Sequence, residues 1–293
     1  MKDATIRKGF RRDCFGRTQS ITAFEKEKAT GLSRLFDESL KLPVNHSHYY
    51  EHGYRSGELH ESNLWQIASG IDNARPFSLR ETIDIPDFHI GLLVDCSGSM
   101  ASSTSCFSSG GSRGYVVPAG HDEYPTVMTA ARVLALAMGM SMSKREGLHL
   151  SICGHTEESG EVHLLMAKRP KTEFSIENFK GLTAQSGNLD GLATVAFARE
   201  MKKDMAPGET GMIVLISDGA PCHTEIVMKK AFHMCEKMYG LPVFPIGVAD
   251  DLDDETCRRY YGAGNYVLAP DVLSSAPAIV TRANQMIAEL RPM

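Results

Sequence analysis

The chain has 293 residues, 42% of them apolar, and carries a net charge of −5 with an isoelectric point near 6.1. Roughly 180–200 residues make one full α/β domain, so the length allows such a domain with a smaller part beside it and ample material for a core. The mild acidity gives no reason to expect nucleic acid or an anionic membrane as the main partner.

The amino terminus, MKDATIRKGFRRDCF, is basic but has no apolar stretch behind it, so it does not read as a secretory signal. No run in the chain approaches the ~18 apolar residues of a membrane span. The cysteines, Cys14, Cys96, Cys106, Cys153, Cys222, Cys235 and Cys257, are odd in number and include no C-x-x-C pair. Several lie in apolar runs, where a thiol behaves as a small hydrophobe. A reducing compartment and a cytoplasmic location are expected.

Residues 1–84 read as a mixed helical and irregular extension, with helical patterns around 20–40 and 60–69. Within it, NHSHYYEHGYRSG places His46, His48 and His52 among Tyr49, Tyr50 and Tyr54. The spacing matches no zinc pattern, and an ordered surface or docking segment is expected instead. From residue 85 to 293 the pattern is that of one α/β domain. FHIGLLVD (88–95) is a continuous apolar strand of the kind buried on both faces. A Ser/Gly-rich insert follows, spanning 100–124, and Pro125 then introduces a helix, TVMTAARVLALAMGMSMS. GLHLSICGH (147–155) and EVHLLMA (161–167) read as strands, the second as an antiparallel edge. Next come a helix at 188–203, a strand GMIVLISDG at 211–219, a helix at 224–239 and a strand at 241–250. A short helix at 253–260, a strand at 265–269 and a helix at 271–290 close the chain. This alternation predicts a doubly wound, mostly parallel central sheet covered on both faces. Ligands in such folds sit beyond the carboxyl ends of the strands. Asp95 and Asp218 both fall at such ends, so their chemistry should meet.

DCSGSM (95–100) sets Asp95, Ser97 and Ser99 in one tight turn. All three are hard oxygen donors of the kind Mg²⁺ takes, and Asp218 supplies the second carboxylate that neutral hydroxyls need beside them. The stretch TAQSGNLDG (183–191) offers Thr183, Ser186, Asn188 and Asp190, of which Asn188 and Asp190 are the candidates, directly or through water. Each loop alone has a plainer explanation, because Asp and Asn cap helices and Ser populates turns. Three such loops at one sheet edge favour an ion. A serine nucleophile has less support. There is no G-x-S-x-G elbow, although His155 and His223 leave a base available. No second acid stands two residues after Asp95, where Ser97 is, and no G-x-x-x-x-G-K-[ST] phosphate loop occurs. His223 and Glu225 could serve ion-activated water, but they also read as the start of a helix capped by Thr224.

D-x-S-x-S after an apolar strand, with a later ISDG, resembles the metal-ion-dependent adhesion site of von Willebrand factor A domains. The resemblance implies that Asp95, Ser97, Ser99 and Asp218 are metal ligands, direct or water-mediated. A threonine usually comes from the third loop in that family, and this chain offers Asn188 and Asp190 there. N-x-D-G at 188–191, VLISDGAP at 214–221, PIGV at 245–248 and DDETCRRYYGAGNYVLAPDVL look like the C-terminal domain of the large accessory subunit of aerobic cobaltochelatase. YRSGELHESNLWQIASG and FSLRETIDIPDFHIGLLVDCSGSM resemble its approach to the site, so the likeness runs over about residues 50–290.

That likeness implies a subunit without its own ATPase, working beside a ring-forming AAA+ ATPase and a large metal-inserting subunit. Its ion would be Mg²⁺, with Mn²⁺ or Ca²⁺ as alternatives, and an Asp or Glu of a protein partner would complete the coordination. Two features depart from the pattern. The long acidic segment expected ahead of the domain is missing from the residues before the first sheet strand, and the 100–124 insert leaves directly from the site. Arg113 and Tyr115 are the insert's candidate contact residues. A metal-dependent hydrolase and a structural assembly subunit remain as alternatives.

Overall fold

The computed structural model describes residues 5–8, 18–41, 46–54, 58–59, 61, 64–71, 74–84, 87–104, 125–219 and 222–290. Strand β1 (Thr5–Lys8) comes first, then helix α1 (Ala23–Ser39), strands β2 (His46–Tyr54) and β3 (Glu58–Leu59), a short helix α2 (Leu64–Ala68) and strand β4 (Phe77–Asp84). Strand β5 (Phe88–Asp95), a 3-10 turn (Gly98–Ala101), helix α3 (Val127–Met142) and strands β6 (Leu148–Glu158) and β7 (Glu161–Lys168) follow. The remaining elements are α4 (Asp190–Asp204), β8 (Thr210–Ser217), α5 (Glu225–Tyr239), β9 (Val243–Gly247), α6 (Asp254–Tyr261), β10 (Val267–Leu268) and α7 (Val272–Glu289).

All eight residues of β5 are buried, and the strand pairs in parallel with β6 on one side and β8 on the other. Its alternate residues feed two separate cores, as a pleated strand requires. Ile90, Leu92 and Val94 pack with apolar residues of α3, α7 and α1. Leu93 packs on the opposite face with residues of α4, α5 and α6. Gly91 lies under α4, where an added Cβ would come within 2.2 Å of the Met201 sulfur. A doubly wound, mostly parallel sheet results, in the order β1-β7-β6-β5-β8-β9-β10. Its one antiparallel pair is β6–β7, joined through Ser159 and Gly160 at φ 55° and 80°, the left-handed pair that a tight hairpin turn demands.

Two expectations need correction. β7 is not an edge strand, because β1 pairs along its outer side from Thr5 opposite His163 to Lys8 opposite Met166. Four residues, TIRK, are too short to declare a strand by alternation. The stretch expected to be helical and irregular also contains a small antiparallel sheet, in the order β2-β4-β3. The histidines of NHSHYYEHGYRSG fall on or beside β2, and their side chains lie outside the described residues.

Helix α1 joins the main core through Ala29, Leu32 and Phe36. Thr22 and Glu25 form a reciprocal capping box at its start. Glu25, itself buried, also pairs with buried Arg132 of α3, at 3.0 Å from both Nε and Nη2. Arg132 further donates to Gln19 Oε1 and the Ser20 carbonyl, so its charge is enclosed by this one segment.

The feet of the 100–124 insert meet. Ser103 bridges Thr126, the Thr104 amide donates to the Pro125 carbonyl and the Val127 amide donates to the Ser102 carbonyl. Thr104 Oγ1 also donates to Asp250 Oδ1 at 2.7 Å. Residues 105–124, with Arg113 and Tyr115, lie outside the described residues. No helix among the described residues is long and apolar enough to cross a membrane.

Candidate metal centre

The D-x-S-x-S turn is anchored by the residues between its donors. Cys96 and Met100 are fully buried, which turns the oxygen-bearing positions toward the sheet edge. Backbone bonds fix the turn from both sides. The Cys96 amide donates to the His155 carbonyl, the Gln185 amide donates to the Cys96 carbonyl, and the Gly98 amide donates to the Ser186 carbonyl. Asp95 is fully buried, and its Oδ1 accepts from the Ser97 amide at 2.7 Å. Ser97 Oγ and Ser99 Oγ lie 3.0 Å apart. Ser97 is buried while Ser99 is exposed, so the donors run from the interior to the surface.

Asn188 and Asp190 reach the same place from the third loop. Asn188 Nδ2 donates to Asp95 Oδ2 at 2.7 Å, and its Oδ1 accepts from the Asp190 amide at 2.8 Å. The capping explanation is therefore half of its role, since Leu189 at the cap position contributes no side-chain bond. Ser217 Oγ lies 3.0 Å from Asp190 Oδ2 and 3.2 Å from Asp95 Oδ2, linking the two carboxylates. It also accepts from the Gly219 amide. Both Asn188 and Asp190 are buried, and their bonds point at Asp95 and the interior. Asp218, also buried, follows Ser217 and brings the third carboxylate. Gly219 turns away at φ 80°, and a Cβ there would meet Leu252 at 2.4 Å.

Ser217 carries no signal in the sequence, and His155 reads there only as an available base. His155 is the register partner of Asp95 on β6, fully buried, with Nε2 3.0 Å from Asp190 Oδ1. The contact is at ion-pair distance but off hydrogen-bond alignment, which leaves both atoms without an aligned partner. Burial pulls the His155 imidazole down, but Asp190 and the charges of Asp95 and Asp218 outweigh it and raise its pKa. Burial also pushes the Asp95 carboxyl up to about 7, helped by Asp190 and Asp218 and opposed by His155. Tyr261, buried behind the site, is raised well above its ordinary range by burial and then by the Asp190 charge.

The donor set fits a hard divalent cation. Two carboxylates, Asp95 and Asp190, close on one imidazole, the charge of Asp218 acts on both Asp95 and His155, and the serine hydroxyls of the turn lie 3.0 Å apart beside them. Carboxylates crowded in a low-dielectric site favour a bound cation over mutual repulsion. Single ligand atoms of Asp95, His155 and Asp190 already lie within 4.8 Å of one another. The thiols are placed elsewhere: Cys96 is buried in the core and Cys222 is exposed. Thr183 is buried and accepts from Gln185 Nε2 at 2.7 Å. Glu225 pairs with Arg259 at 3.7 Å, and Thr224 occupies the cap position of α5 without a side-chain cap bond. His223 sits near Asp190 with Nε2 buried and unpartnered, its pKa lowered by burial.

No family model matches the chain, and no curated protein matches it. Solved structures do. The PilB minor pilin from Streptococcus sanguinis is 12% identical over 75% of this chain and 67% of its own, with a TM-score of 0.50. An aerotolerance-related membrane protein from Bacteroides fragilis NCTC 9343 is 17% identical over 68% of this chain and 100% of its own, with a TM-score of 0.44. The manganese-loaded TRAP protein of Plasmodium vivax is 16% identical over 66% of this chain and 72% of its own, with a TM-score of 0.43. At such identities the pilin likeness is one of fold. The architecture is the doubly wound, mostly parallel sheet that the alternation of strands and helices predicts.

Proposed function

We propose that the domain is a divalent-cation-dependent protein-binding module. Asp95, Ser97, Ser99 and Asp218 hold the ion, with Asn188 and Asp190 entering directly or through water, and Mg²⁺ is the ion that suits these oxygens best. The observation that carries this reading is the gradient of exposure along one turn, from buried Asp95 through buried Ser97 to exposed Ser99. An ion seated there is gripped from below and faces solvent above. The bound cation supplies a Lewis-acid position for a partner's carboxylate.

The chain's own residues prepare that position. The Ser97 amide and Asn188 Nδ2 fix the two oxygens of Asp95 in one orientation. Ser217 and His155 balance the negative charge behind it. Recognition of this kind needs no general base. The hydrolytic alternative would need a base that solvent reaches, whereas Nε2 of its candidate His223 is buried and unpartnered, and Glu225 faces Arg259 at 3.7 Å.

The partner class rests on the resemblance of the N-x-D-G and SDGAP stretches to the cobaltochelatase subunit, which implies an adaptor that couples an AAA+ ATPase to a target. Free cysteines at Cys96, Cys153, Cys222, Cys235 and Cys257 suit a reducing, cytoplasmic setting. The test is a pulldown from native lysate with Mg²⁺ and ATP, compared with EDTA and with Asp95→Ala. An AAA+ ATPase recovered by wild type with Mg²⁺ alone supports the adaptor. Identical partners under all three conditions would remove the ion from the binding reaction.

A further inference from the structure

A second constellation occupies the opposite rim of the same three strands. His89 is the second residue of β5, His149 the second residue of β6, and Glu209 directly precedes β8. His89 and His149 are register partners, which in a parallel pair sets their side chains on one face. Their ring centroids are 4.7 Å apart. His89 Nε2 lies 2.9 Å from Glu209 Oε2, and His149 Nε2 lies 2.7 Å from Asp87 Oδ2. Gly211, beside His89, has no room for a side chain, since a Cβ would meet the His89 carbonyl oxygen at 2.4 Å. The Ala206 amide donates to Glu209 Oε2 and turns that carboxylate toward His89.

The chemistry differs from that of a surface ion pair. His89 is 1% exposed, so protonating it beside a second imidazole is opposed by burial and by that neighbour. Neutral imidazoles offer lone pairs, and imidazole with carboxylate is the donor set of borderline transition metals rather than of Mg²⁺. One ligand atom each from His89, His149 and Glu209 already lies within 4.8 Å of the other two. Zinc takes nitrogen and oxygen ligands at about 2.0–2.2 Å, which places neighbouring ligands roughly 3.3 Å apart. Asp87 holds the His149 ring from outside this group, so the chain offers three donors and a water would take the fourth position of a tetrahedral ion.

We propose that His89, His149 and Glu209, with Asp87 orienting His149, form a site for a divalent transition-metal ion of the Zn²⁺ class at the amino-terminal rim of the sheet, separate from the oxygen-lined centre. The ion would tie together the starts of the three central strands.

The test titrates Zn²⁺ alone into chelator-stripped full-length protein with Mg²⁺ saturating the oxygen-lined rim. It is repeated with Asp95→Ala, which disables that rim. One Zn²⁺ per chain is expected in both cases, with micromolar or tighter affinity. His149→Gln, at a side chain 25% exposed, should fold and bind Zn²⁺ more weakly by about 100-fold or more, since losing a ligand costs at least what losing a group that orients one does. Co²⁺ gives an independent readout, because four-coordinate nitrogen and oxygen ligation yields intense visible bands that an all-oxygen six-coordinate site does not. Zn²⁺ binding that vanishes in Asp95→Ala, or survives His149→Gln with an unchanged Co²⁺ spectrum, would overturn the site.

Discussion

The two rims of the central sheet are built from the same three strands and make opposite use of them. At the amino end β5, β6 and β8 contribute His89, His149 and Glu209; at the carboxyl end they contribute Asp95, His155 and Ser217 with Asp218. Six residues separate the members of the first two pairs, so the rims stand about 20 Å apart at ~3.3 Å per residue. At the carboxyl end the imidazole is buried behind the carboxylates, and of the two serines of the turn only Ser99 reaches the surface. At the amino end the imidazoles are themselves the donors. The strands fix where two groups can meet, and the neighbouring loops decide which elements those groups prefer.

Asp95→Ala should separate the rims most sharply. Ion-dependent partner capture is expected to be lost entirely while Zn²⁺ uptake at His89 and His149 persists, read by pulldown and by calorimetry on one preparation. Glu25→Ala touches neither rim but strands the buried Arg132 charge, and breaking such a pair costs about 3–5 kcal/mol. Denaturant melts should show that loss, with both ion affinities unchanged in the protein that remains folded. Asn188→Ala removes the donor that orients Asp95 Oδ2, and Mg²⁺ affinity should fall by about 10–100-fold, as for other groups that orient metal ligands. An unaltered Mg²⁺ isotherm would mean that Asp95 is held by Ser97 and Ser217 alone. Gly219→Ala forces a side chain into a left-handed turn against Leu252, and a stability loss of about 1–3 kcal/mol is expected in a thermal melt.

Much of the fold was legible because buried parallel strands read as unbroken apolar runs. FHIGLLVD ends on Asp95 and GMIVLISDG carries Asp218 one residue before its end, which marks the carboxyl rim in the sequence itself. Short or polar strands were not legible. TIRK shows no usable period, and HSHYYEHGY reads as surface although its backbone is paired along β4. Site geometry was legible only where the donors share one turn. Asn188 and Asp190 were found as chemistry, but the direction of their bonds depends on how α4 docks. His155 and the His89–His149 pair depend on strand register, which places residues about 60 apart in the chain side by side.

The stapled feet of the 100–124 insert have a consequence of their own. The chain leaves through Ser102–Thr104 and returns through Pro125–Val127 at one point, with Thr104 tied to Asp250 as well. To the folded domain the intervening stretch is a cassette plugged into a two-pin socket. Closing a flexible loop between fixed ends changes by only about 0.6 kcal/mol per doubling of its length. Shortening, lengthening or exchanging residues 105–124 should therefore leave the melting temperature and the ion site nearly untouched. The sequence of residues 105–124 is then free to drift independently of the domain that holds their two ends.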